Sequence, residues 1–279
     1  MNLASVKSEG RQSNRFRETL PPQARSLAQI AVCRRSGFWY SAFPTNCGQW
    51  HQGRFQRETV MSRSIALKSS SRFVTEEMAN QWTHGAGFVL SVPAGWWLVR
   101  STLDKHNDWL TLGCAIYAVT LSLLYAASTL SHSVHRGVWR HRFRTLDQVC
   151  IFLLIAGNFT PFAMTFLRDG WWSLPLAAMW LFAAVGIVAK LFFTKLHAVA
   201  PSFYFLMGCA PILLLPQFFR CLGSAGVAWI IAGGVAFSAG TWFFVNDERR
   251  FHHAIWHVFT MLGSACHYLV ALNYIVPRA

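Results

Sequence analysis

Charge is what this chain has least of. Only 13% of its 279 residues are Asp, Glu, Lys or Arg, where a soluble domain carries about a quarter. Too few charges remain to cover a water-facing surface. Acids are scarcer than bases, 11 against 25. The seven cysteines, Cys33, Cys47, Cys114, Cys150, Cys209, Cys221 and Cys266, form no CxxC pair. Their odd number and scattered spacing exclude a disulfide framework and a thiolate metal site, leaving small apolar fillers. No basic patch interleaves with aromatics in a soluble fold, so the +14 net charge does not indicate a nucleic-acid partner; the bases flank apolar runs instead.

Those bases are unevenly placed. Residues 1–75 hold 12 of the 25 Lys and Arg and three acids, Glu9, Glu18 and Glu58. This quarter has no sustained apolar run and no secretory core. It reads as a basic extension without its own fold, with a transit peptide as the other reading of an Arg- and Ser-rich, acid-poor segment. Met61 opens a short basic lead-in, MSRSIALKSSSRFVTEEMANQWTH, and stands as an alternative natural start.

Beyond residue 75 the composition changes, and 76–279 reads as one all-α membrane domain. A membrane helix needs roughly 20 apolar residues. Seven stretches qualify, near 82–100, 109–131, 148–167, 171–189, 197–217, 225–245 and 254–276. Alternate loops differ in charge. Arg136, Arg140, Arg142, Arg144, Lys190, Lys195, Arg249 and Arg250 fall on one side, and Arg100, Lys105, Arg168, Arg220 and Arg278 on the other. Basic loops stay in the cytoplasm. The expectation is a bacterial inner-membrane protein with its N-terminus inside and its C-terminus outside.

That topology gathers ionisable groups at the cytoplasmic ends of the spans, where such groups are functional by default. His132 closes the second span, Asp147 opens the third, and His253 and His257 open the seventh. His253 and His257 are four apart, as are Ser128 and His132, so each pair shares a helix face. Three imidazoles with a fourth position open suit a catalytic zinc, though copper, iron or nickel also accept nitrogen. Asp147 could orient or deprotonate a water there, and Ser128 could hold a ligand or a substrate oxygen. Each also has an ordinary role at a helix end. His252 should be solvated, while His135 and His141 should meet lipid headgroups. His267, about 15 Å further along its helix, should be an interhelical hydrogen-bonding group.

The segment EEMANQWTHGAG resembles the opening Glu-x-x-Asn-x-x-Thr-His motif of the progestin and adipoQ receptor family. SxxxH at Ser128 and His132, LDQVCIFLLIAGNFTPF from Leu146, and HHAIWHVFTMLGSACH from His252 resemble its later blocks. Order and separation agree over residues 76–276, and the short loops fit the bacterial, hemolysin III branch. The resemblance implies a seven-helix bundle with Zn2+ on His132, His253 and His257. It places the family's serine and aspartate at Ser128 and Asp147, and supporting roles at Glu77, Asn80, Thr83, His84 and His267. An aromatic residue often precedes the family's first histidine, where this chain has Ser131. Relatives in the wider superfamily hydrolyse lipid amides. The expected function is thus a zinc-dependent hydrolase of a lipid amide or ester at the cytoplasmic leaflet, with membrane lipids as partners. The alternatives are a receptor-like or membrane-homeostasis protein with a structural zinc, or a cytolysin.

Overall fold

The computed structural model describes residues 48–135, 137–192 and 200–279, with side chains from residue 73 onward apart from 172 and 200. Residues 1–47 of the basic extension, Arg136, Lys195 and His197 lie outside the described residues. Two compact units divide the chain, Met1–Arg63 and Ser64–Ala279. The second contains the apolar stretches and the clustered histidines.

The described residues are helical, with no strand among them. The α-helices are α1 (Gly48–Arg100), α2 (Asp108–Ser133), α3 (Gly137–Phe166), α4 (Leu174–Phe192), α5 (Ala200–Cys209), α6 (Leu215–Val245) and α7 (His252–Val270). A π-helical turn, Ala271–Ile275, continues α7. Among the described residues, five stretches are long and apolar enough to cross a membrane: 108–133, 137–166, 174–192, 201–245 and 252–278. Residues 48–75, expected to lack structure, lie within α1.

Two boundaries differ from expectation for local reasons. The arginine-rich segment after α2 is short as a loop, because Gly137 at φ 71° turns the chain and α3 starts there. Arg140, Arg142 and Arg144 therefore sit on the first turns of α3 rather than in a loop. The stretch expected as two spans, 197–217 and 225–245, contains α5, a 3-10 turn at Ala210–Leu214 and α6, whose break at Gly223, with φ 72° and ψ 177°, falls between the two expected spans. Only glycine adopts that backbone without strain. At the other end of the bundle, Asn107 caps α2 by accepting from the Leu110 N–H at 3.1 Å.

The packing inverts the rule for water-soluble proteins. Buried positions include Glu77, Asn80, His84, Ser128, His132, Thr160 and His257, while Trp82, Trp96, Leu181, Phe192 and Leu213 face outward. Apolar side chains spread over the outside of an all-helical chain need lipid, not water, as solvent. Inside, side chains tie the helices together. Tyr117 Oη donates to Ser264 O across α2 and α7 at 3.1 Å, and Tyr268 Oη to Ala94 O across α7 and α1 at 2.9 Å. Ser91 and Ser122 join α1 to α2 at 3.1 Å, and Tyr204 Oη reaches Gln148 O across α5 and α3 at 2.9 Å. Small residues let α6 and α7 approach closely, with Gly233 against the Gly263 carbonyl. The protein is thus an integral membrane protein, and three of its helices, α1, α2 and α7, meet where the histidines lie.

Candidate metal centre

His132 ends α2, while His253 and His257 occupy successive turns at the start of α7. Their rings form a compact triangle, with centroids 5.1 Å apart for His132–His253, 5.1 Å for His132–His257 and 4.7 Å for His253–His257. One ring nitrogen of each lies within 4.8 Å of the other two. His132 and His257 are buried and His253 half-buried.

Two of the imidazoles, His132 and His257, are held by hydrogen bonds through Nδ1, and the third, His253, has a carboxylate near its Nδ1. His132 Nδ1 lies 2.6 Å from Glu77 Oε2. His257 Nδ1 lies 3.0 Å from Thr83 Oγ1 and 3.2 Å from Asn80 O. The Thr83 hydroxyl already has backbone carbonyls to donate to, Ala79 O and Asn80 O, both at 2.9 Å. Its oxygen is therefore free to accept from His257. His253 Nδ1 lies 3.7 Å from Asp247 Oδ2. Hydrogen-bond acceptors at Nδ1 of His132 and His257 assign the proton there, leaving those two Nε2 lone pairs for another partner. His132 Nε2 is buried and has no hydrogen-bond partner in the protein. A buried polar atom without a partner costs on the order of 1–3 kcal/mol, which a metal ion would relieve. Oriented imidazoles backed by carboxylates and a backbone carbonyl are how proteins present nitrogen to a metal. The residues present therefore fit a divalent ion.

Glu77 is the charged node of this arrangement. Besides His132 it accepts from Arg140 Nη2 at 2.9 Å and Arg144 Nη2 at 3.2 Å. Burial raises its carboxyl pKa, but the His132 hydrogen bond and the Arg144 and Arg140 guanidinium groups outweigh burial and hold it below the usual range. The His253 imidazole beside Asp247 likewise holds that carboxyl low, against a smaller opposing effect of burial.

The remaining expected site residues divide by position. Asp147 is half-buried, accepts from Ser131 Oγ at 3.2 Å and faces the same cavity as the histidines. Ser128 is fully buried one turn from His132. Asn80 contributes its backbone carbonyl to His257 rather than its side-chain amide. His84 holds no histidine; its ring stacks on that of His257 with centroids 3.6 Å apart and planes 14° from parallel. His267 lies away from the triangle, where its Nε2 donates to Ile230 O at 3.2 Å and its Nδ1 accepts from Asn158 Nδ2, linking α7 to α6 and α3. His252, expected in solvent, packs against Trp242 and Phe243 with its Nδ1 buried, because α7 turns that face toward α6. Asp247 and the Glu77–arginine contacts were not foreseen. Asp247 stands six residues before His253 in a loop, where spacing implies no contact.

A cavity of about 890 Å³ opens from this cluster into the bundle. His84, His132, Asp147, His253 and His257 line one end. Along α3 the lining runs from Asp147 to Phe162, about 22 Å at helical rise, through Leu154, Ile155 and Phe159. Pro211, Leu215 and Ile275 line the far end. Its volume lies in the range of small-molecule sites, but its shape is long and its walls mostly apolar.

A helical membrane protein with three converging histidines at the head of a long apolar cavity is the class that fold and site define. Comparison with known proteins narrows it: residues 73–268 match the family described as Haemolysin-III related, and the chain belongs to that family. It is 37% identical to Hemolysin-3 of Bacillus cereus over 211 residues, covering 75% of this chain and 96% of that one. It is 35% identical to the Hemolysin-3 homolog of Bacillus subtilis (strain 168), over 73% of this chain and 96% of that one. At 30% identity it is similar to the human monocyte to macrophage differentiation factor, over 80% of this chain and 94% of that one. No solved structure matches the chain.

Proposed function

We propose that the protein is a zinc-dependent hydrolase of a lipid amide or ester, working at the cytoplasmic leaflet of a bacterial inner membrane. The observation that carries the proposal is the convergence of one ring nitrogen from each of His132, His253 and His257 at the polar end of a mostly apolar cavity. Zinc bound there would supply Lewis-acid hydrolytic chemistry. The chain's own residues supply the rest. Glu77, Asn80 and Thr83 hold two of the imidazoles with their lone pairs inward, and Asp247 stands beside the third. Asp147 offers a carboxylate at the same end, placed to take a proton from a water at the cavity head. Ser128, in the layer beneath, limits the room beside His132. The apolar length of the cavity accommodates an acyl chain and keeps bulk water from it.

The topology we propose has seven crossings. The 45-residue stretch Pro201–Val245, with its break at Gly223, is long enough for two, and 82–100 of α1 supplies another. The excess of arginines around the start of α3 supports a cytoplasmic histidine end. The Bacillus cereus relative is named for hemolysis; release of single-chain lipids by a hydrolase would weaken a bilayer without a pore. The test is lipid analysis of cells making the wild type or His257→Ala. A lipid that accumulates in the variant while its cleavage product falls supports the proposal. Identical lipid profiles, with zinc stoichiometric in the purified wild type, would sink the hydrolase and favour a structural zinc in a receptor-like or membrane-homeostasis protein.

A further inference from the structure

The three histidines of the triangle are not equally enclosed. The His132 side chain is 5% exposed and His257 is 1% exposed, whereas the His253 side chain is 25% exposed. His132 and His257 are tied by hydrogen bonds at Nδ1, and His253 is not. Its Nδ1 faces Asp247 Oδ2 at 3.7 Å, about 1 Å longer than a charge-assisted hydrogen bond. Asp247 lies in the loop between α6 and α7, and the backbone around it is pinned. The Asn246 N–H donates to Trp242 O at 3.3 Å, the Arg249 N–H to Asn246 O at 3.3 Å and the His252 N–H to Arg249 O at 3.2 Å. Phe251 enters α7 in the left-handed conformation, at φ 61°, which folds the loop back beside the first turn of that helix. The Asp247 side chain is 51% exposed, so its own rotation is enough to close the gap. The rim beside His253 is also the polar way out of the centre. Below the histidines the cavity walls are mostly apolar, and an ion moving that way loses its water without replacement.

We infer that Asp247 is a positioning residue that latches an exchangeable metal ligand: the ion enters and leaves past His253, and the Asp247 carboxylate closes on His253 Nδ1 when the ion is bound. This rests on the metal reading above and deepens it by naming how the ion comes and goes. The cause is the polarity of the ring. An ion on one imidazole nitrogen draws electron density from the ring and makes an N–H on the other a stronger donor. A stronger donor keeps at hydrogen-bond length a carboxylate that a neutral ring keeps only nearby. Such coupling is reciprocal, so the closed carboxylate slows the loss of the ion. His132 and His257 then form a standing two-nitrogen half-site, which His253 completes or releases. A centre built this way fills from the solvent at the histidine end, and empties to it, without moving a helix.

The test is the rate of zinc release from the purified full chain. Zinc-loaded protein is mixed with an excess of a chromophoric chelator, and loading is followed separately by mixing metal-free protein with zinc. The wild type should release one zinc per chain. Asp247→Asn keeps the shape and removes the charge. It should release zinc about tenfold faster, the low end of the effect of a supporting partner because Asp247 is half exposed, and should load at the wild-type rate. Asp247→Glu, which keeps a carboxylate, should recover most of the difference. Glu248→Gln, the next residue of the loop and exposed, should match the wild type in both rates. Equal release from the wild type and Asp247→Asn overturns the latch and leaves the hydrolase proposal standing. Slower loading with unchanged release makes Asp247 an attractor of cations and overturns the latch as well. Asp247→Asn that takes up no zinc at saturation makes Asp247 a ligand, with the same consequence. A wild type that takes up no zinc overturns the metal reading and this inference with it.

Discussion

Replacing Glu77 by Gln separates an oriented histidine from a merely nearby one. The Glu77 carboxylate accepts from His132 at 2.6 Å, from Arg140 at 2.9 Å and from Arg144 at 3.2 Å. All three partners donate, and only a carboxylate accepts from all of them at once. Gln has the same shape but one oxygen and one NH2 group. With its oxygen toward His132, its NH2 points at two guanidinium groups. With its oxygen toward the arginines, its NH2 points at His132 Nδ1 and forces the proton to Nε2, the atom a metal needs. Either choice weakens the site. Loss of such a supporting partner reduces metal affinity by about 10–100-fold, equivalent to about 1.4–2.7 kcal/mol. The effect on folding should be smaller than for a wholly buried ion pair, because the Arg140 and Arg144 side chains are 27% and 49% exposed and can turn to solvent. Competition with a chromophoric chelator gives the zinc affinity of the solubilised protein, and thermal unfolding of the metal-free form gives the folding term separately. Glu248→Gln, in the loop before α7, is the control and should bind zinc like the wild type. If Glu77→Gln also binds zinc as tightly as the wild type, the carboxylate does not orient His132, and the tautomer argument fails with it.

Three further outcomes are expected. Purified His257→Ala should have lost its zinc, whereas Asp147→Asn should keep it while any lipid hydrolysis falls by about 10²–10⁴-fold; elemental analysis beside a turnover assay distinguishes the two, and a zinc-free Asp147→Asn would make Asp147 a ligand. Gly157→Ala should lower the unfolding temperature, because its new Cβ collides with the Thr120 side chain where α2 meets α3, at a cost of about 1–3 kcal/mol; Gly234→Ala, which meets nothing within 4 Å, should leave it unchanged. A reporter active only in the cytoplasm should work when fused after Arg144 and fail when fused after Arg278, and the reverse would invert the proposed orientation.

What the sequence made legible is what depends on one helix at a time. The 23 uncharged residues at 109–131 mark α2 because a membrane helix must satisfy its own backbone. His253 and His257 share a face because 3.6 residues make a turn. What was not legible depends on two helices meeting. Arg140 and Arg144 read as topology signals in a loop, and only their place on α3 brings both guanidinium groups onto Glu77 of α1. Asp247 lies in a loop whose path no periodicity fixes. His84 and His257 are far apart in the chain, and no rule of spacing stacks their rings. The break at Gly223 falls in the gap between the expected spans 197–217 and 225–245, but the φ of 72° that makes it has no signature in hydropathy. The three clustered histidines were thus the easy half of the site. Their orientation comes from Nδ1 partners on other elements: α1 supplies Glu77, Thr83 and the Asn80 carbonyl, and the loop before α7 supplies Asp247. A substitution in α1 should therefore reach the histidines as directly as one beside them.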